Sequence, residues 1–230
     1  MAGTAAATDP PSTVLKRSMD TDDALARRLA KDLEAGFPGL VEAHQDRLYT
    51  IALRLLGDRR DAEEVAQDAL VRAFRAMRGY QRERVAALRL RPWLASIAVN
   101  LARNRRRRAD DRQPPNQLEP MLDAGFDLPG DARSAPERRA DRRETQRELA
   151  EALLLLAPSV RAAVVLRHVD GLSVTETAEA LGRPEGTIKA QVHRGLRELR
   201  ATLETAAMRQ PPTTAPARAA RLLPALEAIR

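Results

Sequence analysis

The chain has 230 residues, 43% of them hydrophobic and 3% aromatic, enough apolar content for one mid-sized domain or two small ones. Its net charge is +7, and 36 of its 39 basic residues are Arg, with Lys only at Lys16, Lys31 and Lys189, a balance that favours a polyanionic partner. The absence of Cys excludes disulfides, thiolate metal sites and thiol chemistry, and no apolar run approaches the roughly 18 to 20 residues of a spanning helix.

Residues 1–11 show neither the basic start nor the apolar stretch of a secretory signal, so a cytoplasmic protein without membrane insertion is expected. Residues 1–20 are expected to form a disordered extension, and helical period predicts a first helix from about Asp22 to Ala35. From Leu40 to Leu56 the apolar residues Leu40, Val41, Leu48, Ile51, Ala52 and Leu55 form one stripe, with His44 as its gap and Gly57 as its stop. Asp58 or Asp61 can cap the next helix. Its stripe runs through Ala62, Val65, Ala66, Ala69, Leu70, Ala73, Phe74 and Met77 before Gly79. A third long helix, Trp93 to Arg108, carries Trp93, Ile97 and Leu101 and ends on Arg103, Arg105, Arg106, Arg107 and Arg108. Cations stabilise a helix C-terminus, but five Arg exceed that need and would make a strong sequence-independent phosphate contact.

Between Asp110 and Glu137 seven acids stand against two Arg, interrupted by five Pro. That composition cannot bury enough apolar surface to order itself and is expected to be an acidic flexible linker, residues 110–137. Helical period resumes near Arg138, with Leu149, Ala152, Leu153 and Leu156 on one face. The expected fold is therefore all-α: two small helical domains, residues 21–109 and 138–207, joined by the linker and followed by a tail, 208–230. The Pro-containing segment from Gln210 to Pro216 reads as disordered, and Leu222, Leu223, Leu226 and Ile229 could form a short helix.

Punctuation and period agree best between Gly171 and Leu203. Ser173 and Glu176 have capping-box spacing, Ala178 and Leu181 face inward, Gly182 stops that helix, and Pro184 restarts the chain as another. Ile188, Val192, Leu196, Leu199 and Leu203 commit one face of the second helix to a core. Thr187, Ala190, Arg194 and Arg197 lie opposite, flanked by Gln191 and His193. Amide and guanidinium side chains there match base edges and phosphates, as on a recognition helix. A solvated face on an ordinary bundle helix would carry similar residues; the capped partner helix and tight turn favour the groove-binding reading. The second domain is thus expected to be a four-helix, winged-helix-like helix-turn-helix unit.

Three segments in order carry a resemblance to bacterial sigma factors of the extracytoplasmic-function group, of the sigma-70 family. It covers roughly Gly36–Arg108 and Arg147–Leu203. DRLYTIALRLLGDRRDAEEVAQDALVRAFRAM (Asp46–Met77) resembles the family's segment that docks on the clamp helices of the RNA polymerase β′ subunit. RPWLASIAVNLARNRRRR (Arg91–Arg108) resembles its promoter-melting, −10-reading helix, and LSVTETAEALGRPEGTIKAQVHRGLRELR (Leu172–Arg200) its −35-reading helix-turn-helix.

The resemblance implies a core-polymerase surface of Asp61, Glu63, Glu64, Gln67, Asp68 and Phe74. For the −10 element it implies Asn100, reading a flipped base, with Arg103, Asn104, Arg105, Arg106, Arg107 and Arg108. For the −35 element it implies Thr187, Lys189, Ala190, Gln191, His193, Arg194 and Arg197. Tyr80–Leu90 corresponds to the loop that helps pocket the −10 base, and Trp93 is assigned chiefly to the core. Gln191 stands where many relatives carry Arg, and Asn104 where many carry Asp, so the family's promoter sequence does not transfer. The family's linker threads toward the RNA exit path, where an acidic segment matches the charge of RNA; an idle tether is the equal alternative for Asp110–Glu137.

The resemblance implies a non-enzymatic promoter-specificity subunit, without cofactor, whose partners are core RNA polymerase and promoter DNA. Because relatives are often sequestered by an anti-sigma factor, such a partner is a further option. A stand-alone helix-turn-helix regulator is the rival within DNA binding. A nuclease or recombinase would have to use Asp123, Asp127 and Asp131, which lack a helical scaffold, and His44, His168 and His193 show no ligand spacing.

Overall fold

The computed structural model describes residues 11–110 and 136–208, and every element among them is helical. In chain order these are α1 (Pro11–Lys31), α2 (Leu33–Leu56), α3 (Arg59–Arg78), α4 (Arg82–Ala86), α5 (Leu90–Asp110), α6 (Pro136–Leu155), α7 (Pro158–Val164), α8 (Val174–Leu181) and α9 (Glu185–Met208), with a π-helical turn over Val165–Val169. The expected all-α class holds. The C-terminal half has four helices, and no strand among the described residues forms a wing. Helix α1 begins at Pro11, inside the extension expected over 1–20, and α5 and α6 reach the ends of the expected linker at Asp110 and Pro136; residues 1–10, 111–135 and 209–230, with Asp123, Asp127, Asp131 and Leu222–Ile229, lie outside the described residues.

The expected helix from Asp22 to Ala35 is divided. Asp32 adopts extended geometry (φ −148°), and its Oδ1 accepts from the Ala35 amide at 3.0 Å, so an acid inside the expected helix is the N-cap of α2. Helix α2 therefore starts well before its Leu40 stripe. Gly36 lets it approach α1, because a Cβ there would stand 3.3 Å from the Leu29 Cα. His44 is no gap: it is 3% exposed, with Nε2 3.3 Å from Asp22 Oδ1 across the α1–α2 contact.

Asp58 caps α3, its Oδ1 accepting from the Asp61 amide at 2.8 Å, and Ala62, Val65, Ala66, Ala69, Leu70, Ala73 and Met77 are buried as the period requires. In α5 the buried set is Leu90, Leu94, Ala95, Ala98, Val99, Leu101 and Ala102, whereas Trp93 and Ile97 are half-buried. The stripe read from Trp93, Ile97 and Leu101 is narrower than the buried surface because α5 packs on α2 and α3 and also on α8.

In the second half Ala152, Leu153 and Leu156 are buried and Leu149 is half-buried. Ser173 Oγ accepts from the Glu176 amide at 3.1 Å while Glu176 Oε2 accepts from the Ser173 amide at 2.8 Å, completing the capping box. Gly182 turns the chain with φ +60°, a left-handed conformation that favours glycine. Ile188, Leu199 and Leu203 are buried, with Val192 and Leu196 half-buried beside them. Gly195 supplies what the periodicity omits: a Cβ there would fall 2.5 Å from Val164 Cγ2 and 2.8 Å from Val160 Cγ1, so α9 crosses α7 closely at that point.

Two stability predictions follow from this packing. Gly195→Ala must displace two stiff valines and should cost about 1–3 kcal/mol, outweighing its helix-propensity gain, whereas Gly186→Ala, with open space around it, should gain up to about 1 kcal/mol; urea unfolding followed by Trp93 emission measures both. Burial, and secondarily Arg167, lowers the His168 pKa to about 4. The unfolded chain then binds the extra proton between about pH 6.5 and 4, so this contribution is complete above that window and is lost as pH falls through it. Between pH 7.5 and 5 the wild type should lose about 2 kcal/mol more than His168→Gln in parallel urea titrations.

Candidate nucleic-acid interface

Three surfaces contain the residues singled out from the sequence. On α3, Glu63, Gln67 and Asp68 are exposed on the face opposite the buried stripe. Val71, 45% exposed, continues this face and was missed because an apolar residue reads as core. Phe74 faces another way: it is half-buried, with its ring edge-on to Phe37 of α2 at 4.8 Å between centroids.

Asp61 and Glu64 are already engaged. Arg105 of α5 reaches across, with Nη2 2.7 Å from Asp61 Oδ1 and Nη1 2.5 Å from Glu64 Oε2. The hydrogen bond to Asp61 is the largest cause holding the Arg105 pKa above the usual guanidinium value. An arginine assigned to phosphate therefore ties α5 to two acids assigned to another surface.

Along α5, Asn100, Arg103, Arg107 and Arg108 are exposed, and Asn104 and Arg106 are half-buried. Arg103 Nη2 donates to Asn100 Oδ1 at 3.0 Å, which orients the amide beside the guanidinium. The preceding loop is ordered by α4, by Tyr80 at 6.3 Å from the Trp93 ring, and by Arg84 stacked over Tyr80 at 3.8 Å.

On α9, Thr187, Lys189, Ala190, His193, Arg194 and Arg197 are exposed on one side of the buried stripe. Gln191 is half-buried, and its amide oxygen is enclosed without a hydrogen-bond partner among the described residues. Arg194 Nε lies 2.6 Å from Glu198 Oε1 one turn along, which raises its pKa and holds the side chain on the helix surface. Thr175 Oγ1 donates to Glu185 Oε1 at 2.7 Å, pinning the start of α8 to the start of α9. This is a helix-turn-helix with an exposed polar face on its second helix, the shape that enters a major groove.

The halves meet through residues that periodicity did not single out. Arg161, 2% exposed, donates through Nη1 to the Leu55 carbonyl at 2.6 Å and through Nη2 to those of Leu154 and Leu156. Burial, followed by nearby Arg106, lowers its pKa to about 10, which leaves it charged at neutral pH. Asp170 is paired with Arg47, and its carbonyl accepts from Arg91 at 2.7 Å. The one sequence signal for Arg161 was a cation within the apolar stretch Ser159–Leu166. A cleft of about 640 Å³ opens between the halves, lined by Asn100, Arg103, Arg106 and Arg107 on one side and Leu181 and Arg183 on the other. No helix among the described residues is long and apolar enough to cross a membrane.

With this geometry in place, comparisons with known proteins identify two regions. Residues 40–112 match the family model for sigma-70 region 2, and residues 146–199 match that for sigma-70 region 4. The chain is 36% identical over 169 residues to the RNA polymerase sigma-E factor of Streptomyces avermitilis, covering 74% of this chain and 86% of that protein. It is 35% identical over 162 residues to the ECF RNA polymerase sigma factor SigE of Mycolicibacterium smegmatis, covering 70% of this chain but 59% of that protein. A solved structure of CnrH in complex with the cytosolic domain of CnrY shares the fold at TM-score 0.56 and 24% identity, covering 80% of this chain and 97% of that one. The sigma factor RpoE of Bartonella quintana, solved with the anti-sigma factor NepR, does so at 0.53 and 22%, covering 73% and 96%.

Proposed function

Since this chain belongs to the extracytoplasmic-function group of the sigma-70 family of RNA polymerase sigma factors, we propose the surfaces through which it directs promoter-specific transcription initiation. Residues 21–109 form the unit that binds core polymerase and the −10 element, and residues 138–207 the unit that reads the −35 element. On α3, Glu63, Gln67, Asp68 and Val71 dock on the β′ clamp helices, the acids pairing with basic groups around an apolar contact. Asp61 and Glu64 flank that surface and brace Arg105.

On α5, Asn100 presents an amide that can donate to and accept from an extruded −10 base. Arg103, Arg106, Arg107 and Arg108 neutralise the phosphates around it. On α9, Thr187, Lys189, Ala190, Gln191, His193, Arg194 and Arg197 enter the major groove at the −35 element, and Gln191 gives this chain a base preference different from that of an arginine. The chain itself performs no catalysis and needs no cofactor: RNA synthesis belongs to the polymerase, and the protein acts in the cytoplasm where polymerase and DNA are. An anti-sigma factor is a further partner by analogy with the Bartonella sigma factor solved with one.

The observation that carries this reading is the pair of region matches in family order, each placing an exposed polar helix face opposite a buried stripe. Run-off transcription with core polymerase and sequenced products tests it. The full-length chain should give discrete starts sharing two spaced elements, and Asn100→Ala or Arg194→Ala should lower them by roughly tenfold to a hundredfold, the value of one base contact. Gln67→Ala with Asp68→Ala should weaken assembly with core. No stimulation of polymerase, alongside tight operator binding by the chain alone and indifference to Gln67 and Asp68, would establish the stand-alone regulator instead.

A further inference from the structure

The arginines at the end of α5 stand on turns that the apolar core does not hold. Burial along α5 ends at Leu101 and Ala102, and from Arg103 to Arg108 every side chain is exposed or half-buried. Arg103, Arg105, Arg106, Arg107 and Arg108 repel one another within about two turns, and a helix end without buried apolar contacts opens at low free-energy cost. Among the described residues, the ion pairs that tie this end of α5 to another helix are those of Arg105. Its Nη2 lies 2.7 Å from Asp61 Oδ1 and its Nη1 2.5 Å from Glu64 Oε2.

The seat for that guanidinium is built by local rules. Asp58 Oδ1 accepts from the Asp61 amide at 2.8 Å and so fixes the first turn of α3, and Asp61 and Glu64, three positions apart, share one face of the helix. Arg60 Nε, 3.5 Å from Glu64 Oε1, leaves Oε2 for Arg105. On the α5 side Arg103, two positions before Arg105, donates to Asn100 Oδ1 at 3.0 Å. The turn that Arg105 anchors is therefore the turn that aims the Asn100 amide.

The family resemblance places Arg105 with the phosphate contacts and Asp61 and Glu64 with polymerase docking, whereas the geometry joins all three in one further task. We propose that Arg105 is a positioning residue for −10 reading: seated in Asp61 and Glu64, it holds the last turns of α5 on α3 and, through Arg103, sets the orientation of Asn100 without itself touching DNA. The proposal rests on the sigma-factor reading for what Asn100 reads. The anchoring of the helix end rests on the contacts alone.

A phosphate contact and a positioning residue predict effects of opposite sign. If Arg105 met a phosphate, neutralising Asp61 and Glu64 would free it, remove two negative charges near the DNA and tighten binding. If Arg105 positions α5, neutralising its seat loosens the helix end and weakens binding despite the gain in positive charge.

Holoenzyme made with the full-length chain decides between them. It is titrated, over a series of KCl concentrations, with a fluorescent forked DNA that exposes as single strand the −10 element recovered by run-off transcription. Arg107→Gln, the reference phosphate contact, should flatten the dependence of log affinity on log salt by about 0.7. Arg105→Gln should leave that slope unchanged and lower affinity by about threefold, with a similar loss of preference for the base whose recognition Asn100→Ala abolishes. Asp61→Asn with Glu64→Gln should do the same, and adding Arg105→Gln to that pair should cost nothing more, because residues acting as one unit are not additive. A flattened slope in Arg105→Gln, or tighter binding once the acids are neutralised, would overturn the proposal in favour of a phosphate contact. Unchanged affinity in both variants would overturn it in favour of an idle surface pair. In the free full-length chain, Arg105→Gln should also speed amide hydrogen exchange over residues 103–108 by about threefold or more while leaving α2 unchanged, and equal exchange would refute the anchor. If the chain gives no promoter-specific starts, the sigma-factor reading fails, while exchange still decides whether Arg105 holds the helix end.

Discussion

A guanidinium taken out of water has to find oxygen for its N–H groups, and Arg161 finds it at the ends of two helices from opposite halves of the chain. That requirement fixes how α2, α6 and α7 meet. The C-terminus of α2 must stop at Leu56, and Gly57 turns away with φ +80°, where a Cβ would stand 2.5 Å from Leu154 Cδ1. Asp170 follows the π-helical turn and is thereby carried to Arg47 and Arg91. The apolar stripes of both halves join in one core, and these few charges add directed contacts where the halves meet.

Charge also organises the first half internally. Arg105 joins the first two turns of α3 to the last turns of α5 through Asp61 and Glu64, so the proposed docking helix and the proposed −10-reading helix share one ion-pair network. The remaining arginines at that end stay exposed or line the cleft, the condition for meeting a phosphate backbone. On α9 the pairing of Arg194 with Glu198 is solvent-exposed and therefore easily exchanged for a base or phosphate.

Much of the site was legible in the sequence where local rules act alone. The capping box at Ser173 and the stop at Gly182 involve residues within a few positions of one another and stand in the structure as read; of Asp58 and Asp61 it is Asp58 that caps α3, whose stripe is buried except at Phe74. Errors came where a residue's environment is made by a distant segment. Asp32 looked like a helix interior residue and is a cap, and His44 looked like a gap and is buried against Asp22. On α3, Phe74 is half-buried with its ring edge-on to Phe37, and Val71 is exposed beside Gln67 and Asp68.

The sequence by itself determined the helices, their caps, the helix-turn-helix and the family, because hydrophobic period, capping chemistry and motif order are properties of short segments. Only the tertiary structure decided that Gly195 must lack a side chain, that Arg105 binds Asp61 and Glu64, and that Arg161 and Asp170 clasp the two halves together. Those facts join residues from 30 to more than 100 positions apart, and no local rule specifies which carbonyl or carboxylate a buried cation will reach once the helices have packed.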